Sequence, residues 1–78
     1  MLSLHLITPD TKQELTDIQS ITCTLAAGPV KILPHHAPTL ATVEPGKLYA
    51  VRRDGIKSYE LASSGLLKIE RDTITVVS

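Results

Sequence analysis

Four prolines and two adjacent histidines between residues 28 and 46 constrain this sequence more than any other feature. Pro34 and Pro38 each fix their own φ angle, lack a backbone N–H, and push the preceding residue toward an extended conformation. Neither a helix nor a central strand can therefore continue through this segment. The sequence predicts that the chain leaves a sheet just before Pro34, holds His35 and His36 in a stiff exposed loop, and enters a strand again after Pro38.

Length and composition narrow the class of protein. The chain has 78 residues, of which 42% are apolar, so we expect one domain spanning residues 1–78 with a single core. Because the chain has no Phe or Trp, the core must consist mainly of Leu, Ile, Val and Ala. Its eight basic and eight acidic residues are spread along the chain rather than gathered into a basic stripe. A nucleic acid is therefore not expected as a partner.

The single cysteine, Cys23, alternates with Ile21 and Leu25. We expect it to be a small buried hydrophobe rather than a reactive thiol or a metal ligand. No segment approaches the roughly 18 apolar residues that span a bilayer, and the first residues do not resemble a signal peptide. Any membrane association is therefore expected to be made through another subunit.

Apolar residues recur with a period of two along most of the chain, as in half-buried strands. The alternating segments are residues 2–6, 21–25, 30–32, 59–61, 67–69 and 74–76. Ile18 and Ile21 are three apart, which predicts a bulge or a strand start near Gln19 and Ser20. Turn residues separate these segments every eight to twelve residues or so. The predicted fold is all-β: a flattened antiparallel β-sandwich or barrel of about eight to ten short strands in two sheets.

One hairpin is predicted in detail. Residues 47–53 should pair antiparallel with residues 56–61 across Asp54 and Gly55, in a type I′ turn that requires positive φ at both central residues. Tyr49 and Tyr59 are candidates for a pair facing each other across this hairpin.

Several motifs in this order resemble the amino-terminal β-sandwich of the epsilon subunit of F-type ATP synthases. They are Leu4-His5-Leu6-Ile7-Thr8-Pro9, the segment from Ile32 to Pro38, Val43-Glu44-Pro45-Gly46, Ser63-Ser64-Gly65-Leu66-Leu67, and Ile74-Thr75-Val76. The resemblance covers essentially the whole chain.

This resemblance implies a non-catalytic subunit of the central stalk, or rotor, of a proton-transporting ATP synthase. The domain would contact the gamma subunit with one face and the ring of membrane-embedded c subunits with one end, coupling the two during proton-driven ATP synthesis. It would lie at the cytoplasmic face of a bacterial plasma membrane, held there through the c-ring. No cofactor and no catalytic residue is implied.

The resemblance also assigns partner contacts to particular residues. His36 corresponds to the family's histidine between Pro and Ala-Pro, near the gamma contact, and residues 28–31 correspond to the end that touches the ring. The full set expected to bind gamma or the c-ring is Gly28, Pro29, Val30, Lys31, His35, His36, Ala37, Pro38 and Leu40.

Four departures from the family qualify this assignment. The family commonly has an acidic residue where this chain has Pro29, so the ring contact is expected to depend on shape or on another charged residue. It favours glycine where His35 stands, which implies that the backbone there need not adopt a conformation reserved for glycine. Ser64 replaces the first glycine of the usual pair. Members also commonly continue into two carboxy-terminal helices, whereas this sequence stops at Ser78, so either the subunit is a naturally short form without the helical domain or the sequence is a fragment.

Two other classes of function stay open on the residues alone. A small ligand-binding sandwich of the jelly-roll type would need a concave pocket with aromatic or polar anchors. A compact metalloenzyme would need three or four convergent ligands, whereas neighbouring His35 and His36 point to opposite sides of an extended backbone and His5 lies in a distant strand. We therefore expect no metal site.

Overall fold

The computed structural model describes residues 1–78 and contains eight strands. They are β1 (Leu2–Ile7), β2 (Lys12–Leu25), β3 (Gly28–Ile32), β4 (Thr39–Val43), β5 (Gly46–Arg52), β6 (Gly55–Leu61), β7 (Gly65–Glu70) and β8 (Thr73–Val77). The predicted all-β fold is confirmed. The structure contains no helix with the length and apolar character needed to cross a membrane.

Strand β2 joins two sheets into a flattened sandwich. The hydrogen-bonded order is β1-β8-β7-β4-β2-β5-β6, with β3 also on β2 and a further pairing of β1 with β2. The first sheet, β1-β8-β7-β4, meets β2 through both β1 and β4, which closes a ring of paired strands. The second sheet consists of β3, β2, β5 and β6, because Ile21 of β2 pairs with Ile32 on one edge and Ala50 on the other.

The pairing of the first and last strands departs from the prediction of a purely antiparallel sandwich. Strands β1 and β8 run parallel, with Leu4 opposite Ile74, whereas the other pairings are antiparallel. A parallel pair requires a long connection. Here nearly the whole domain forms that connection, so short-range patterns in the sequence could not reveal it.

Strand β2 is longer than the alternation predicted and contains the expected bulge. Its pairing with β5 shifts register between Ile18 and Ser20, which is the expected bulge. Asp17, with a φ of +57°, lies in a second irregularity, where the pairing of β2 with β1 shifts register between Leu15 and Ile18. The preceding half, from Lys12, was missed because its side chains are mostly exposed. Backbone pairing with β1 rather than an apolar face makes that half a strand.

The core lies between the two sheets and consists of aliphatic residues, as the composition predicted. Its members are Leu2, Leu4, Leu6, Ile18, Ile21, Cys23, Ile32, Val43, Leu48, Ala50, Leu61, Leu67, Ile69, Ile74 and Val76. Cys23 is 3% exposed, and this burial raises the pKa of its thiol, so the expectation of a buried hydrophobe is confirmed.

The hairpin of β5 and β6 forms, but its predicted turn was wrong. Arg52 pairs with Gly55, so Arg53 and Asp54 occupy the tip, and only Gly55 has a positive φ, of +142°. A single glycine after the turn supplies the unusual conformation here, and type I′ geometry is not needed. The predicted tyrosine pair was also wrong, because Tyr59 lies opposite Leu48 on the core side and Tyr49 lies opposite Ser58 on the outer side.

A turn with two left-handed residues instead joins β7 to β8. Arg71 and Asp72 have φ angles of +50° and +58°, and Glu70 pairs with Thr73 to close the hairpin. Two successive positive φ angles are the mark of a type I′ turn, which matches the right-handed twist of paired strands.

Candidate partner-binding surface

The segment from Leu33 to Pro38, called the histidine loop below, leaves the sandwich as predicted. Strand β3 ends at Ile32 and β4 begins at Thr39. His35 has a φ of +68°. This left-handed region is favoured by glycine and is open to other residues at a cost of about 1–2 kcal/mol, so His35 adopts a conformation that a glycine would adopt more easily.

Three hydrogen bonds hold the histidine loop in shape. The backbone N–H of His35 donates to Oδ1 of Asp72 at 2.7 Å. On the other side of the loop, His36 Nδ1 lies 2.8 Å from the carbonyl oxygen of Ala37, and the Thr39 hydroxyl donates to the same oxygen at 2.9 Å. The first bond ties the loop to the turn between β7 and β8, whereas the other two are local.

Both histidine side chains and the two residues that follow them are exposed. Pro38 lines a shallow groove together with Leu40 of β4 and with Lys68 and Glu70 of β7. Leu40 is 73% exposed, which is unusual for a leucine in a strand. The loop and Leu40 therefore form one continuous surface at the edge of the first sheet.

The other predicted partner residues, 28–31, lie in β3 of the second sheet. Gly28 pairs with Leu25, next to the tight turn at Ala26 and Ala27. Pro29 and Lys31 are exposed. Residues 28–31 make up most of β3, so Lys31 lies two residues before the histidine loop, whereas Gly28 lies about 13 Å of extended chain from Ile32 at the end of the strand. The predicted residues therefore extend along one strand into the loop rather than forming one compact cluster.

Three apolar side chains outside the core lie beside this surface and were not predicted; two of them are exposed and the third, Ile7, is half-buried. Ile7 lies opposite Val77, which lies opposite Leu66, so the three form a row across β1, β8 and β7 on the outer face of the first sheet. Leu66 is 56% exposed and Val77 is 47% exposed. We call these three residues the apolar row. It ends at Thr42 of β4, two residues along the strand from Leu40.

The sequence does contain a signal for the apolar row. Successive side chains of a strand point to opposite faces. An apolar doublet in a strand must therefore expose one member if only one face is buried. The chain has such doublets at Leu6-Ile7, Leu66-Leu67 and Val76-Val77, and in each of them the member outside the core belongs to the row.

The residues that would matter for a ligand-binding sandwich or a metalloenzyme lie away from this surface. The largest groove, of about 550 Å³, is lined by Met1, Asp17, Gln19, Arg52, Arg53 and Asp54. Its lining is charged, and Arg52 Nε is buried without a hydrogen-bond partner. Nδ1 of His5 lies 3.3 Å from a carboxylate oxygen of Glu14 on the neighbouring strand. No three His, Cys, Asp or Glu side chains are grouped closely enough to hold a metal ion.

A small sandwich that displays a rigid loop beside exposed apolar side chains has the form of a protein-interaction domain. The whole chain, residues 1–78, matches the family model of the ATP synthase delta/epsilon chain β-sandwich domain. The chain therefore belongs to this family, and the resemblance drawn from its motifs is confirmed.

Relatives of known name agree with this assignment. The chain is 37% identical to the ATP synthase epsilon chain of Citrifermentans bemidjiense and 34% identical to that of Geotalea daltonii, each over 76 residues. Each match covers 97% of this chain and 54% of the relative. The chain thus spans about half the length of the relatives it matches.

Solved structures share the fold. A chain of the Tetrahymena thermophila mitochondrial ATP synthase central stalk and c-ring superposes with a TM-score of 0.73 at 16% identity, covering 97% of this chain and 61% of that chain. A chain of the Euglena gracilis mitochondrial ATP synthase, in a structure of OSCP, F1 and the c-ring, gives a TM-score of 0.80 at 18% identity, covering 96% and 48%. At these identities the likeness concerns the fold alone.

Proposed function

We propose that this chain is the β-sandwich domain of a non-catalytic rotor subunit in an F-type ATP synthase. In this role it couples the gamma subunit to the c-ring during proton-driven ATP synthesis. It is held peripherally at the cytoplasmic face of a bacterial plasma membrane through the c-ring. The family match over all 78 residues carries this proposal. The names of the bacterial relatives and the central-stalk setting of one structural neighbour support it.

The architecture suits a part that must transmit torque. Of the 46 backbone–backbone hydrogen bonds, 41 lie within the strands, so shear is resisted by cross-strand bonds along most of the chain. The ring of pairings through β2 and the close-packed aliphatic core oppose sliding of one sheet over the other. Rigidity, rather than a reactive group, is the property this function needs.

We assign the gamma contact to the histidine loop with Leu40, and we extend it over the apolar row. Rows of large exposed apolar side chains are typical of surfaces that another protein covers. We assign the c-ring contact to residues 28–31 of β3, which begin at the end of the strand away from the histidine loop, where Pro29 offers shape in place of the family's usual charge. The roughly 13 Å of extended chain from Gly28 to Ile32 would let one rigid domain place the two ends of this strand against different partners.

A binding experiment with substitutions on the two faces tests the gamma assignment. Wild-type chain mixed at micromolar concentration with the gamma subunit of the same organism should co-elute in size-exclusion chromatography. Leu40→Ser combined with Leu66→Ser should weaken this complex at least tenfold, because each change removes apolar area from the proposed interface.

Ile56→Ser is the matched control, because Ile56 is 68% exposed but lies on β6 of the second sheet. It should leave gamma binding unchanged. A wild-type chain that forms no complex with gamma would contradict the proposed function. A complex weakened equally by the control would instead contradict the choice of face.

A further inference from the structure

Asp72 holds together three parts of the chain that are distant in sequence. Its side-chain Oδ1 accepts the backbone N–H of His35, 37 residues away, at 2.7 Å. Its own carbonyl oxygen accepts the backbone N–H of Ser3 at 2.9 Å, at the start of β1. Asp72 thus links the histidine loop, the turn between β7 and β8, and the first strand.

The bond to His35 differs in kind from the other bonds of the histidine loop. Those of His36 and Thr39 end on Ala37 within or beside the loop and cannot fix its direction relative to the sandwich. The bond from His35 has a charged acceptor, which makes it stronger than a bond between neutral groups. It also holds His35 at a φ of +68°, a conformation that costs this residue energy.

The geometry of Asp72 is itself specified by its turn. Asp72 has a φ of +58° as the second central residue of the turn, and it is half-buried. Asp and Asn are the side chains that tolerate this conformation best after glycine. One residue therefore satisfies two requirements: it closes the β7–β8 hairpin, and it directs a carboxylate to the amide of the loop.

We propose that Asp72 is a positioning residue for the histidine loop and that it pre-organises the loop for its partner. This inference rests on the proposed function, in which the loop contacts the gamma subunit. Without the anchor, the loop must lose backbone freedom when it binds. Binding of gamma should then weaken about tenfold, the effect of losing one hydrogen bond to a charged group.

Substitutions at two adjacent positions separate the anchor from the turn. Asp72→Gly keeps the left-handed turn but removes the carboxylate, whereas Asp72→Asn keeps both an acceptor oxygen and a side chain suited to the turn. Arg71→Gly is the matched control, because Arg71 is the other left-handed residue of the turn and makes no bond to the loop. The thermal midpoint of each variant reports the integrity of the fold.

Two measurements are made on each protein: amide hydrogen exchange at His35 in the chain alone, and affinity for gamma. In the wild type we expect the His35 amide to exchange more slowly than those of His36 and Ala37. Asp72→Gly should lose this protection and bind gamma about tenfold more weakly. Arg71→Gly should retain both properties, and Asp72→Asn, whose acceptor oxygen is neutral, should retain most of each.

The outcomes that overturn the inference are distinct from failure of the proposed function. If the His35 amide of the wild type exchanges as fast as those of His36 and Ala37, the anchor is refuted, and no variant is needed for that conclusion. Unchanged gamma affinity in Asp72→Gly, despite lost protection, would refute the positioning role, as would an Asp72→Asn variant that behaves like Asp72→Gly. If the wild type does not bind gamma at all, the proposed function fails, while the exchange measurements still decide whether Asp72 anchors the loop.

Discussion

Gly65 and Val77 approach so closely that no side chain fits between them. A Cβ built on Gly65 would collide with the backbone carbonyl of Val77 and would also lie 2.8 Å from the Cα of Ser78. The obstacle is the backbone of the end of the chain, beside β8, rather than the end of a flexible side chain. Gly65 is therefore required for β7 and β8 to meet at this end of the first sheet.

Gly65→Ala should destabilise the domain by about 3 kcal/mol, the upper range for overpacking. This is a large part of the stability expected for a domain of this size. Ser64→Ala is the control, since Ser64 is exposed and should change stability little. Urea unfolding followed by circular dichroism measures both variants. Equal urea midpoints for Gly65→Ala and Ser64→Ala would show that β7 and β8 can move apart at little cost in free energy.

Loosening the histidine loop should weaken partner binding more than it affects the fold. Pro34→Gly and Pro38→Gly each add backbone freedom that must be lost on association, at about 0.4–1 kcal/mol per site. We expect gamma binding to fall by about twofold to fivefold, measured by titration calorimetry. Pro9→Gly, in the separate turn between β1 and β2, provides the control. Affinities that stay unchanged in both loop variants would show that loop rigidity has no role.

The turn between β7 and β8 offers a stabilising substitution. Arg71 has a φ of +50°, where asparagine is favoured over arginine. Arg71→Asn should therefore raise the free energy of unfolding by about 0.5–1 kcal/mol, a part of the cost of a left-handed residue. Arg53→Asn is the matched control, because Arg53 occupies the other hairpin tip without a positive φ. A comparable gain at both sites, measured by thermal unfolding, would contradict this account.

Lys57 should protect the free edge of the second sheet from self-association. Strand β6 pairs only with β5, and Lys57 lies opposite the buried Ala50, on the face toward the core. A charged residue in this orientation at an edge strand opposes pairing with another chain. Lys57→Val should produce concentration-dependent oligomers in analytical ultracentrifugation, whereas Lys57→Arg should stay monomeric. If Lys57→Val stays monomeric at high concentration, the charge of Lys57 is not what prevents association through the edge of β6.

Cys23 should make stability fall at alkaline pH. Burial raises the pKa of its thiol above the ordinary value of 9.0, because the thiolate is poorly solvated in the core. The stabilising contribution of the neutral thiol is complete below pH 9. It is lost as the pH rises from there through the raised pKa, since the unfolded chain releases this proton first.

A comparison with Cys23→Val isolates this effect from other titrating groups. Between pH 8.5 and 10.5 the wild type should lose more stability than Cys23→Val, by up to about 1.4 kcal/mol per pH unit. Chemical denaturation at several pH values measures the difference. Parallel losses in the two proteins would rule out a contribution from the thiol.

Local patterns revealed most strands but not their partners. Alternation identified the segments around Leu4, Cys23 and Ile74, and the three-residue gap between Ile18 and Ile21 marked the observed bulge. It missed the first half of β2, whose exposed side chains carry no apolar period. The choice of turn at Asp54 also failed, because a glycine can supply positive φ in more than one turn geometry.

In the candidate site, too, local sequence predicted some features but not others. The prolines predicted an exposed loop that holds His35 and His36, and that loop is present. Neither its anchor on Asp72 nor its continuity with the apolar row could be predicted, since these bring together residues from strands far apart in sequence.

The sequence by itself determined the class of fold, the aliphatic core and the position of the loop, because backbone restrictions at proline and the two-residue period of a strand act over a few neighbouring residues. Only the tertiary structure decided that β1 and β8 run parallel, that the histidine loop lies beside the apolar row, and that Asp72 reaches His35. These features depend on which strands are neighbours. The pairing of the strands is set by burial of the whole core at once, so it cannot be predicted from any short segment of the sequence.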